Sequence, residues 1–187
     1  MKKITNLVMR LCLVFALGCM LFTCSNDPLM ISSDEADTSE LNSKMASEKK
    51  SMDNKLHFTA SLKGSNETTP NDSKAAGEAI VHINKEETMI HYKLIVANIE
   101  NVTMSHFHMA PAGSDGGPVA WLYKNLDGQP SGMSNGVIAE GQIEESDLIG
   151  GLAGKSIADL IEAIRNGKIY VNVHTSAYPG GELRGQL

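Results

Sequence analysis

The chain has 187 residues, three cysteines and a formal charge of −6 at neutral pH. An acidic chain repels phosphate backbones, which argues against nucleic acid as its partner. Cys12, Cys19 and Cys24 all lie near the N-terminus, so the rest of the chain has neither a disulfide nor a thiolate metal site and must stand on its core.

Lys2, Lys3 and Arg10 precede an apolar stretch from Leu11 to Phe22, too short to span a bilayer comfortably and placed where an export signal belongs. Leu21-Phe-Thr-Cys24 is followed at once by polar Ser25-Asn26-Asp27, and Ala16-Leu-Gly-Cys19 by more apolar residues. Both resemble the lipobox of bacterial lipoproteins. The resemblance implies a signal peptide over 1–23, lipidation at Cys24 with Cys19 as the alternative, and a lipid-anchored place in the cell envelope, periplasmic or at the cell surface. Losing Lys2, Lys3 and Arg10 with the leader takes the formal charge from −6 to about −9.

Residues 24–55 are rich in Ser, Asp, Glu, Asn and Lys, with few large apolar side chains and no sustained periodicity. Such a segment cannot bury enough surface to offset its ordering entropy, so it reads as a flexible tether with a reach of roughly 30 Å. The remaining 56–187 has the length of one domain.

In that domain Leu56, Phe58, Ala60 and Leu62 alternate with His57, Thr59 and Ser61, the pattern of a half-buried strand. Alternation at Ala79, Val81 and Ile83 and again at Ile90, Tyr92, Leu94 and Val96 predicts a hairpin over about 76–98. Val102 to Met109 is a strand that sends His106 and His108 to one side. Ala110 to Pro118 is a loop by composition, Val119 to Tyr123 a strand with the only tryptophan, and Val137 to Ile143 another. Ser156 as N-cap, with Ile157, Leu160, Ile161 and Ile164 at helical spacing and Gly167 beyond the end, predicts one short helix. Lys168 to His174 and Glu182 to Leu187 close the domain as a hairpin around Tyr178-Pro-Gly-Gly181. The expected fold is all-β, an antiparallel Greek-key sandwich or barrel.

Phe58-Thr-Ala-Ser-Leu62, His106-Phe-His108, Gly116-Gly-Pro-Val119, Leu152-Ala-Gly154, Asp159-Leu160, Tyr170-Val-Asn-Val-His-Thr175 and Pro179-Gly-Gly-Glu-Leu-Arg-Gly-Gln186 together resemble the CHRD domain family, first named from chordin. The resemblance covers nearly the whole of 56–187 and implies an immunoglobulin-like or copper/zinc-superoxide-dismutase-like barrel. It implies fold more firmly than activity. Ala110 stands where the family usually has Gly, and one extra residue sits near Gly116-Gly117.

Two histidines at i and i+2 on a strand have Cα atoms roughly 6.5 to 7 Å apart on one face, near enough to converge on one ion. His174, on the polar side of its own strand with Tyr170 and Asn172, is the natural third ligand, and Met104 and Met109 are candidate soft ligands. The arrangement resembles the His-x-His copper ligands of superoxide dismutases, without the further ligands those enzymes use. The competing reading makes His106, His108, Asn172, His174, Glu182 and Arg184 a structural polar network in which Arg184 holds Glu182. His57, His82 and His91 read as separate solvated side chains, Trp121 as a core residue ahead of a role with Tyr123 in lining a ligand surface, and Asp115 as a turn former ahead of a calcium or partner contact. Gly113 to Gly117 is not followed by the helix and Lys-Ser/Thr of a phosphate cradle, and Ser105 points away from His106.

Two functions stay open. One is a membrane-anchored, extracytoplasmic CHRD lipoprotein acting as a non-enzymatic binding or structural module for a protein or surface ligand. The other is a copper or zinc protein at His106, His108 and His174, an oxidoreductase if copper cycles there.

Overall fold

A computed structural model describes residues 35–187, so the leader, Cys19 and Cys24 lie outside the described residues. The alternating segments become eight strands: β1 (His57–Lys63), β2 (Ala76–Ile83), β3 (Ile90–Glu100), β4 (Val102–Met109), β5 (Pro118–Lys124), β6 (Met133–Ile143), β7 (Ile169–Thr175) and β8 (Leu183–Gln186). They form one antiparallel sheet in the order β5-β4-β7-β8-β1-β2-β3-β6. The C-terminal hairpin β7–β8 is therefore the middle of the sheet and joins the β5–β4 pair to the β1–β2–β3–β6 meander. Gly185 makes the join possible, since a Cβ there would lie 2.7 Å from the Ser61 carbonyl oxygen of β1.

The sheet curls until its ends meet. Tyr92 Oη on β3 donates to the Leu122 carbonyl of β5 at 2.8 Å. Its ring passes over Gly141, its register partner on β6, where a Cβ would lie only 3.0 Å from the hydroxyl. The fold is the expected antiparallel barrel, nearly closed, with a tyrosine bond across the open seam.

Period-two alternation fills the inside. Phe58, Ala60 and Leu62 face Val81, Ile83, Leu94, Phe107, Val171 and Val173, all buried. Each fully buried Leu, Ile or Phe contributes about 1.5–3 kcal/mol, which is how the domain stands without disulfides. The predicted helix is α2 (Ile157–Arg165). Ser156 caps it reciprocally with Asp159, and Ile157, Leu160, Ile161 and Ile164 add their stripe to the core. The strand preceding the Ala110 loop matches its expected bounds, whereas β6 begins earlier than expected, at Met133.

The tether is corrected in one respect. Residues Glu35–Asp53, expected as irregular coil, form a helix, α1. They contain no Gly or Pro and are rich in Glu, Lys, Ala, Met and Ser, so propensity suffices where an apolar face is missing. From Thr38 to Ser51 the helix is exposed throughout, Leu41 and Met45 included. Among the described residues no helix is long and apolar enough to cross a membrane.

Strand β7 is enclosed on both faces. All seven of its residues are buried, although only one face of the strand can meet the core. The other face, with Tyr170, Asn172 and His174, is covered by the loops around Glu67, Ser114 to Gly116 and Pro179.

Candidate metal centre

On the outer face of β4 and β7 the register sets Met104 opposite His174, His106 opposite Asn172 and His108 opposite Tyr170. Alternation on β4 and pairing with β7 thereby gather His106, His108 and His174 into one group. Ring centroids are 5.3 Å apart for His106–His108 and for His106–His174, and 6.0 Å for His108–His174. All three are at most 9% exposed. One ring nitrogen from each lies within 4.8 Å of the other two.

The hydrogen bonds select the tautomers. Gly116 O is 2.9 Å from His108 Nδ1, and Pro179 O is 2.9 Å from His174 Nδ1. A carbonyl oxygen only accepts, so each Nδ1 carries the proton and each Nε2 keeps a lone pair. Those two Nε2 atoms and His106 Nδ1 are buried without a hydrogen-bond partner. Buried imidazole nitrogens in a native fold normally find partners, so three such atoms on neighbouring rings call for an explanation.

Burial also keeps these rings neutral. It pulls His106 down to about 4, with His108, His174 and Lys124 adding repulsion. His108 and His174 are lowered chiefly by burial, against the raising effect of their carbonyl partners. Neutral imidazole is the ligating form. Tetrahedral zinc with bonds of 2.0–2.1 Å needs donors roughly 3.3 Å apart, so modest ring rotation would close the group around an ion.

Gly116 is what allows its carbonyl to reach His108. A Cβ there would collide with the Met109 carbonyl, so only glycine lets the loop approach β4 this closely. Of the two methionines considered as soft ligands, Met104 stays on the histidine face opposite His174. Met109 alternates away from it and packs against the core, its methyl 3.5 Å from where a Gly151 Cβ would be.

The polar residues around the imidazoles form three separate bonded sets, and the expected Arg184–Glu182 pair is not one of them. The guanidinium of Arg184, 3% exposed, donates to Asp115 Oδ1 at 3.0 Å and to Ser114 O at 2.6 Å and lies 3.4 Å over Tyr170. Tyr170 in turn stacks on His108 at 4.9 Å. Glu182 instead accepts from Ser73 Oγ and Thr175 Oγ1, each at 2.6 Å. Asn172 donates to Glu67 Oε1 at 2.7 Å. Burial pushes Glu67 up to about 7 against the opposing pull of Asn172 and Arg184.

Two residues depart from their leading expected roles, and a third carried no expectation. Trp121, expected in the core, is half-buried outside it and lies 4.1 Å from the His106 ring. Asp115 ties the loop to Arg184 and also accepts from Thr68 Oγ1 at 2.8 Å. Glu67 had no signal in the sequence, because its loop reaches Asn172 across 105 positions.

The fold is a nearly closed antiparallel barrel with a buried histidine group on the outer wall of β4 and β7. The chain belongs to the CHRD domain family, which matches residues 58–187. Neither the curated proteins nor the solved structures returned a match to the chain.

Proposed function

We propose that this CHRD domain is a metal-binding module, holding one copper or zinc ion at His106, His108 and His174 and displayed outside the cytoplasm on a lipid anchor. A single observation carries the reading: three buried, unpartnered imidazole nitrogens on mutually adjacent rings, two of them aimed by backbone carbonyls. Hydrogen bonds within the protein leave these three atoms unmet, whereas a bound ion satisfies all three at once. The donor set is three neutral nitrogens, which suits zinc or copper and leaves further coordination positions to water or Met104.

The anchor reading rests on the leader and on Cys24 or Cys19, and α1 would serve as the spacer. Nineteen helical residues at 1.5 Å each extend about 28 Å, close to the reach of a coil of similar composition.

The test is metal retention. The full-length chain in detergent is loaded separately with copper and zinc, dialysed against a weak chelator and assayed for metal per chain. Wild type is expected to keep one ion and the His108→Ala variant none. Equal retention in both, or none in either, would remove the reading. Labelling with a radioactive fatty acid, with Cys24→Ala and Cys19→Ala compared, tests the anchor.

A further inference from the structure

The chain has six histidines, and the three outside the buried group also stand together. Register pairs His57 with His82, His82 with His91 and His91 with Gln142, so they form one transverse row across β1, β2, β3 and β6. The His57 and His82 rings are stacked at 4.2 Å and 9°, and His82 and His91 lie 6.1 Å apart at 24°. His82 sits between Val81 and Ile83, both fully buried, so the row faces outward. In sheet order β8 and β1 separate His82 from the β7 histidine, so the row is a different place from the buried group.

We infer that this row is a second, open metal site that takes zinc or copper(II) through His82 and one ladder neighbour at a time. Directly opposed residues on adjacent antiparallel strands have Cβ atoms about 4.5–5.5 Å apart, and rotation about the ring torsion lets two imidazoles share an ion at 2.0–2.1 Å per bond. Water fills the other positions, since His57 is exposed and His82 and His91 are half-buried. The surroundings leave room for it. His82, His91 and Gln142 border a shallow concavity of about 470 Å³. Its floor continues as Ile80, Lys93 and Glu140 in the neighbouring row, where the Lys93 ammonium is already held by Glu140 at 3.0 Å. The ion would exchange readily here, unlike one enclosed under the loops at the buried group.

The geometry makes His82 the shared member of both adjacent pairs and its neighbours interchangeable. Without His82, His57 and His91 stand two strands apart, about 9.5 Å, and both rings must lean over the vacated position to share an ion, which costs them their preferred rotamers and weakens binding. Without His57 or His91, one adjacent pair survives.

The experiment is an equilibrium titration of the full-length chain with zinc against a chromophoric chelator, before any dialysis. Two ions per chain are expected for wild type, one for His82→Ala and one for His108→Ala. His57→Ala and His91→Ala should each keep two, the second held more weakly. His82→Gln, which keeps a polar side chain at the position, should behave as His82→Ala does. Unchanged stoichiometry in both His82 variants would overturn the row while leaving the buried site standing. One ion that survives His108→Ala and vanishes in His82→Ala would support the row and remove the buried site.

Discussion

The His106 ring lies 4.1 Å from that of Trp121, tilted by 53°, and the Lys124 ammonium is 3.8 Å from the indole centroid. Trp121 is the only tryptophan in the chain, so its emission reports on that one imidazole. A copper(II) ion at the histidine group would sit within a few ångströms of the indole and quench it, whereas zinc, with a filled d shell, would not. We expect stoichiometric copper to extinguish most of the emission in wild type and little in His174→Ala. Quenching of equal depth in the variant would place the copper elsewhere.

Arg184 should matter more than its ion-pair partner. Its guanidinium is buried and bonded to Ser114 O, whereas the Asp115 side chain is 69% exposed. Charge-assisted bonds to buried groups are worth more than exposed pairs. Arg184→Ala is expected to cost about 2 kcal/mol or more, through the lost Ser114 bond and the lost packing on Tyr170, and Asp115→Ala about 0.5 kcal/mol. Urea unfolding of the metal-free chain measures both, and equal losses would contradict the argument.

Glu67 gives a pH dependence of definite sign. Its carboxyl is raised from 4.5 to about 7, so the native state holds a proton that the unfolded chain has lost. Its stabilising contribution is complete below pH 4.5 and is lost as pH rises through 7. The full shift corresponds to roughly 3 kcal/mol, and the partial exposure of Glu67 reduces the expected effect to about 1–2 kcal/mol. His106, lowered to about 4, acts with the opposite sign, its contribution being complete above 6.5 and lost as pH falls toward 4. The two windows overlap, so the quantity to measure is the difference between wild type and Glu67→Gln. Relative to the variant, wild type should lose stability between pH 5 and 8, and a flat difference would show that Glu67 titrates normally.

The barrel seam gives a simple stability prediction. Tyr92→Phe removes the one hydroxyl bond from β3 to the Leu122 carbonyl while keeping the ring over Gly141. A loss of about 1 kcal/mol is expected, with faster amide exchange confined to β5 and β6. Exchange that quickens uniformly would mean that the bond supports global stability and not the seam.

Parts of the site are visible in local pattern and parts are not. His106 and His108 share a face because strand side chains alternate, a rule that needs no tertiary contact. Asn172 and Tyr170 follow by the same rule on β7. The bulk of Trp121 argues for the core, and only the β4–β5 register, which sets it opposite His106, puts it outside. Nearness in sequence favours a pair between Arg184 and Glu182. Once folded, the loop carrying Ser114 and Asp115 brings better partners to Arg184, and Ser73 and Thr175 occupy Glu182. Helix α1 lacks an apolar stripe, and the propensity of its Glu, Lys, Ala and Met residues is a weaker signal than periodicity.

The sequence by itself determined the all-β class, the capped helix α2, the bounds of most strands and the CHRD membership, because alternation, caps and turn residues act over a few neighbours. Beyond the β2–β3 and β7–β8 hairpins, only the tertiary structure decided which strands lie side by side. The order β4-β7-β8-β1-β2-β3 delivers His174 to His106 and His108 and lines up His57, His82 and His91, residues 25 and 9 positions apart. Pairing over such distances is set by burial of the whole sheet face, a property of the assembled barrel that no short stretch of chain encodes.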